Sequence, residues 1–208
     1  MEDILTVYRR PYDLNHPLVC MDETSKQLTK ETRKPFRCKP GMPARYDYEY
    51  ERNSVCNLFM FFEPFKGKRY VRATQRRTKV DWATQIKDLL DNQYPEAKKV
   101  VLVMDNLNTH TGASLYETFP PDEARRLLER LEIHYTPKHG SWLNIAEIEL
   151  RILSGQCLNR RMKDMPTLEQ EVTQWQNQRN VLKSKVDWQF SNENARIKLK
   201  RLYPILLT

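Results

Sequence analysis

Three acidic residues stand where the chain passes from apolar to polar sequence. Asp22 follows the run PLVCM, and Asp105 follows KVVLVM. Each is a carboxylate at the carboxyl end of an apolar run, where a side chain leaves a core and meets solvent. In open α/β sheets, sites collect at such strand ends. Glu147 lies early in a helix beyond the next strand. Carboxylates from two strand ends and one helix can converge on one point. Hard oxygen ligands of this kind suit Mg²⁺ or Mn²⁺. Two such ions about 3.5–4 Å apart activate a nucleophile and stabilise the leaving oxygen of a phosphoryl displacement. A single acid after a strand is more often a turn or cap residue, so the weight rests on the three together and on their order.

A phosphodiester substrate calls for a basic surface. The net charge is +8, from 35 Lys and Arg against 27 Asp and Glu, a balance that argues for polyanion binding rather than for a fold. The charge is clustered. Lys66, Lys68, Arg69, Arg72, Arg76, Arg77 and Lys79 share one short stretch, and Lys26, Lys30, Arg33, Lys34, Arg37 and Lys39 share another. Stretches this dense read as phosphate-backbone surfaces. Lys138 and His139, in the polar loop ahead of Glu147, are further candidates for a DNA contact.

The elements that would position these residues can be read from periodicity. PLVCM (17–21) suits a buried strand, and SKQLTK just after it suits a partner strand. Residues 33–48, rich in Pro, Lys and Arg, read as a loop. VCNLFMFFEP (55–64) and KRYVRATQ (68–75) read as a hairpin turning at 64–67. Trp82, Ile86, Leu89 and Leu90 recur at helical spacing over 81–92, behind Asp81. KVVLVM (99–104) is continuously apolar, as expected of a strand covered on both faces. A helix with acids in its first turn follows at 122–131, then a short strand at 133–137. A helix runs from about 142 toward Asn159. Residues 167–182 and 192–202 are helical, with Trp175 and Trp188 as packing anchors. A meander of strands followed by alternating helices and strands predicts an α/β fold, a mixed sheet flanked by helices, in the ribonuclease H-like order. The expected domain plan is a linker over 1–16, the α/β domain over 17–160 and a helical extension over 161–208 packed on it.

Composition excludes other classes. With 39% hydrophobic and 30% charged residues among 208, wholesale disorder is excluded. No apolar run reaches the roughly 18–20 residues of a membrane span, and the N-terminal residues hold no apolar signal core. A cytosolic location is expected. Cys20, Cys38, Cys56 and Cys157 form no CxxC pair and no zinc-finger spacing, so four reduced thiols are expected.

The strings VCMDETSKQL, VLVMDNLNTH and HYTPKHGSWLNIAEIEL resemble the three catalytic blocks of bacterial insertion-sequence transposases related to the mariner family. The resemblance runs from about residue 17 to 204 and includes the late stretch NENARIKLKRLYP. It implies a ribonuclease H-like fold in which Asp22, Asp105 and Glu147 are the catalytic, metal-holding acids. It further implies two Mg²⁺ or Mn²⁺ ions as cofactor. The implied reaction is hydrolysis at transposon ends, followed by attack of the freed 3′-hydroxyl on target DNA. The implied partners are double-stranded DNA and a second copy of the chain, in a bacterial cytoplasm at the nucleoid.

The same blocks frame the auxiliary positions. Asn106 and His110 belong to the second block; His110 contacts a phosphate, orients Asp105, or is a capping or surface histidine. Asn144 is a cap for the helix that bears Glu147, and Trp142 a packing residue. Glu23 follows Asp22 and would point to the opposite face of a continuing strand. Glu147 and Glu149 flank the stripe Leu143, Ala146, Leu150 and Leu153 on opposite sides, about 200° apart. Periodicity does not choose between them; the resemblance favours Glu147. Two departures stand out. Forty-one residues separate Asp105 from Glu147, more than in many relatives, with the excess in ETFPPDEARR, which reads as a surface-loop insertion. Such transposases also carry helix-turn-helix modules ahead of the catalytic part, whereas about twenty residues precede Asp22. The chain is therefore expected to cut and join without the module that finds the ends. The rival expectations are a non-enzymatic DNA-binding remnant or regulator, and another two-metal nuclease of the same fold.

Overall fold

The computed structural model describes residues 1–203 apart from 35, 37, 44 and 46. Arg37 and Pro204 lie outside the described residues. Five strands form one sheet in the order β3-β2-β1-β4-β5: β1 (Leu18–Glu31), β2 (Tyr50–Glu63), β3 (Lys68–Thr74), β4 (Val100–Met104) and β5 (Leu131–Tyr135). The first three strands pair antiparallel, and β1, β4 and β5 pair parallel. The strands alternate between two cores, as their period of two dictates. Leu18, Cys20, Met60, Phe62, Val101 and Val103 face one side. Val19, Met21, Phe59, Phe61, Leu102 and Met104 face the other.

Helices cover both faces. On the first lie α1 (Glu2–Tyr8), α5 (Ile145–Leu153), α6 (Met165–Val181) and α7 (Asn192–Lys198). On the second lie α2 (Lys79–Asp88), α3 (Gly112–Thr118) and α4 (Pro121–Glu129). Thr78 caps α2 in a reciprocal box with Asp81. The outer edge of β3 is closed by α6: the Arg69 and Val71 amides donate to Asn180 Oδ1 (2.9 Å) and Gln176 Oε1 (2.7 Å). An edge strand with filled donors is no template for strand addition. Among the described residues, no helix is long and apolar enough to cross a membrane. All four cysteines are free thiols, and only Cys38 is exposed.

Several readings of the sequence change. SKQLTK does not form a partner strand; it continues β1, which pairs with β2 from Cys20↔Phe62 to Glu31↔Tyr50. The outer half of this ribbon is solvated, and residues 50–55 of β2 are all exposed. Backbone ladder bonds carry the pairing there, with no apolar alternation to announce it. Residues 1–16 are not simply a linker. Ile4, Leu5, Val7 and Tyr8 of α1 are buried in the first core, and a seven-residue helix of this kind is stable only through such packing. ETFPPDEARR is not a surface loop: Glu117 and Thr118 end α3, and Pro121 begins α4. Proline at the first helical position costs nothing because its amide would be unpaired there. Trp142 does pack, edge-on to Phe190 at 5.7 Å, but at the surface, with 44% exposure.

Candidate active site

Asp22 is not at the end of β1, but it does lie where parallel pairing ends. Strand β1 pairs with β4 only through Leu18–Cys20, and β4 stops at Met104. Past Cys20, the side of β1 that faced β4 is open. Asp105 is the first residue beyond β4 and so emerges into the same opening. Asp22 shares the parity of Leu18 and Cys20 and faces the side of α5, whereas Glu23 faces the side of α2.

Helix α5 is brought to this opening by Asn144. Its Oδ1 accepts from the Ala146 amide (3.1 Å), capping the helix, and its Nδ2 donates to Met21 O (2.8 Å). The cap therefore also ties the helix start to the residue before Asp22. Tyr8 donates to Leu143 O (2.6 Å) and steadies the same turn. Glu147, in the first turn of α5, is exposed. Asn144→Ala is expected to cost about 1–2 kcal/mol of stability, with the additional loss of the Met21 bond. Asn144→Asp, which keeps the cap acceptor but not the donor, should fall between the two in urea unfolding; equal midpoints for all three proteins would refute the double role.

Glu149 is engaged elsewhere. It is buried, with Oε2 3.0 Å from Arg69 Nε and Oε1 accepting from Arg179 Nη2 (2.9 Å). Arg69 itself is 0% exposed, lies over the Phe62 ring at 5.0 Å and donates to Ser184 O (2.9 Å). This corrects the reading of Arg69 as a DNA contact: strand alternation turns it inward, toward α5 and α6, while its neighbour Lys68 is exposed.

The electrostatics tie the acids together. Burial pushes the Asp22 carboxyl up to about 7, helped by the charges of Asp105, Glu23 and Glu147 and opposed by the Glu23 amide, which donates to Asp22 Oδ1 (2.8 Å). His110 is 1% exposed, so it is not a surface histidine. Its Nδ1 lies 2.6 Å from Asp105 Oδ1 and its Nε2 3.1 Å from Glu23 Oε2. Burial alone would lower its pKa, but these carboxylates outweigh burial and raise it to about 9. Among the described residues, Glu23, Asp105 and His110 form a group with ligand atoms within 4.8 Å of one another; Asp22 and Glu147 stand outside that compact group. Glu23 and its histidine partner were visible only as the dipeptide after PLVCM and the histidine five residues past Asp105.

The cationic candidates divide. Arg76, Arg77, Lys138 and His139 are exposed, and Arg77 Nη1 stands 4.0 Å from Glu23 Oε1. His139 holds a left-handed backbone (φ 63°) in the loop before α5. Arg72 is half-buried, 3.5 Å from Asp88, and Asn106 is exposed. Lys26 is drawn inward, donating to Leu158 O (2.6 Å) and Arg160 O (3.0 Å). A divalent cation suits the acid group: Asp22, Asp105 and Glu147 offer hard oxygens, and a cation would offset both the burial that raises Asp22 and the neighbouring carboxylates that add to it.

A mixed β3-β2-β1-β4-β5 sheet covered by helices on both faces is the ribonuclease H-like fold that DDE transposases share. Residues 17–169 match the DDE superfamily endonuclease family, and the chain belongs to it. Solved structures share the fold. The Mos1 mariner paired-end complex with Mn superposes with a TM-score of 0.60 at 19% identity, covering 88% of this chain and 54% of that one. The same complex with Mg gives 0.57 at 19%, covering 88% and 56%. The Mos1 strand transfer complex gives 0.57 at 18%, covering 88% and 55%. The chain thus spans a little over half the length of these proteins. No curated protein sequence matches it.

Proposed function

We propose that the chain is the cutting and joining part of a DNA transposase, with Asp22, Asp105 and Glu147 as its metal-holding acids. The observation that carries this reading is topological: Asp22 lies just past the last β1 residue paired with β4, Asp105 is the first residue beyond β4, and Glu147 lies in the first turn of α5, whose cap Asn144 is bonded to Met21 O. Glu149 is the weaker candidate because it is buried between two arginines. Two Mg²⁺ or Mn²⁺ ions, when bound, would supply Lewis-acid stabilisation of phosphoryl transfer and a nucleophile at neutral pH. The protein's own part is to hold the carboxylates and to lay DNA across the opening. Lys68, Arg72, Arg76, Arg77, Lys138 and His139 are the candidate phosphate contacts. The reaction is hydrolysis at transposon ends and attack of the 3′-hydroxyl on target duplex. The match of residues 17–169 to the DDE superfamily endonuclease family, together with a fold shared with the Mos1 paired-end and strand transfer complexes, supports this choice; action as a pair of copies is part of the proposal.

The reading is tested by incubating the chain with duplex DNA and with an RNA–DNA hybrid, in Mn²⁺ and in chelator. Metal-dependent nicking of the duplex is expected; preferential cutting of the hybrid, or none of either, counts against it. Binding should also be steeply salt-dependent, because phosphate contacts release counterions. Arg76→Ala with Arg77→Ala is expected to weaken binding uniformly across sequences and to flatten the log–log salt slope by about 1 per lost contact. An unchanged slope would remove both residues from the interface.

A further inference from the structure

We infer that Glu23 and His110 form a buried strut that sets the spacing between Asp22 and Asp105, acting as positioning residues and not as metal ligands. This rests on the reading of Asp22 and Asp105 as metal-holding acids.

Asp105 needs such a strut. It lies beyond the last paired residue of β4, so no ladder bond fixes the direction of its carboxylate. The contact that does is His110 Nδ1, 2.6 Å from Oδ1, which leaves Oδ2 for another partner. The opposite ring nitrogen is 3.1 Å from Glu23 Oε2. Glu23 in turn donates its backbone amide to Asp22 Oδ1 at 2.8 Å. A continuous path therefore runs from one acid to the other: Asp22, the Glu23 amide and carboxylate, the His110 ring, Asp105.

The ring is held on every side. It stacks on Trp82 of α2, with centroids 5.9 Å apart and planes 30° apart. Its own amide donates to Leu107 O (2.9 Å), and its carbonyl accepts from Tyr135 of β5 (2.8 Å). The ring is 1% exposed and the Glu23 side chain 4%. A histidine binds a metal through a free ring nitrogen, and here both nitrogens face carboxylates. The compact Glu23–Asp105–His110 group is for that reason a bridge, made by a hydrogen bond on the Asp105 side and a buried ion-pair contact on the Glu23 side. Outer partners of this type orient ligating carboxylates, and their loss typically weakens metal affinity 10–100-fold.

The test is Mn²⁺ binding by the intact chain, read from the spin-resonance signal of free Mn²⁺, with circular dichroism to monitor folding. Asp105→Asn is expected to lose tight binding. His110→Ala should weaken binding by about 10–100-fold, and added imidazole should restore it. His110→Gln serves if the alanine variant does not fold, and Glu23→Gln should also weaken binding. If His110→Ala binds Mn²⁺ like the parent while Asp105→Asn does not, the strut is refuted and the acid assignment stands. If His110→Ala and Glu23→Gln abolish binding as fully as Asp105→Asn, without rescue by imidazole, the two are ligands and the inference is overturned. Unchanged binding in Asp105→Asn would overturn the acid assignment and the strut together.

Discussion

Asp105→Asn is expected to lower metal-dependent DNA cleavage on the order of 10³-fold or more while leaving DNA affinity within about twofold. The magnitude follows from the several kcal/mol of transition-state stabilisation a bound divalent ion supplies, at 1.36 kcal/mol per tenfold in rate. Asparagine preserves the size of the side chain and one oxygen, but removes the charge that holds the ion. The exposed cations Arg76, Arg77 and Lys138 are separate residues, so phosphate attraction should persist. Asp22→Asn and Glu147→Gln should behave alike, and Glu149→Gln should instead lose stability. Cleavage rate and filter-binding affinity, measured on the same preparations, separate the two effects. Cleavage within tenfold of the parent would remove that acid from the assignment.

The second large effect concerns stability. Arg69→Met should destabilise the fold by about 3–5 kcal/mol, the usual cost of removing one partner of a buried ion pair. Glu149 is 1% exposed and Arg69 0%, so the remaining carboxylate would keep only Arg179, whose side chain is 16% exposed. At about 2–4 °C per kcal/mol for a chain of this size, the melting temperature should drop by roughly 6–20 °C. Arg69→Met combined with Glu149→Leu should recover much of the loss, because apolar replacement of both partners avoids a buried unpaired charge. A drop of under about 2 °C for the single variant would show that the pair does not bear on stability. The same experiment separates Arg69 from the DNA surface: folded Arg69→Met should bind DNA as the parent does.

How much of this was legible in the sequence depends on what each residue's neighbours reveal. KVVLVM read as a doubly covered strand because continuous apolar sequence leaves no other arrangement, and it located Asp105. The mixed sheet, though not its strand order, followed from a meander passing into alternating helices and strands. The outer ribbon of β1 and β2 was hidden, since Thr24–Glu31 and Tyr50–Val55 are held by backbone bonds that carry no side-chain pattern. Helix α1 was hidden by its brevity. At the site, Asn144 was legible as a cap, but not its second bond to Met21, which joins positions 123 residues apart. Arg69 and Glu149 were misread or left open for one reason: a charged residue in a basic stretch or beside an acidic one looks solvated until its partner across the fold is known. His110 showed the same limit, because only the fold sets Glu23 against its second nitrogen.

The most direct measurement is the position of manganese in the protein, by anomalous scattering from crystals grown with Mn²⁺ and duplex DNA. The expected result is density bounded by the carboxylates of Asp22, Asp105 and Glu147, with His110 still between Asp105 and Glu23. Manganese held instead by Glu23, Asp105 and His110, or by none of the three acids, would contradict the account.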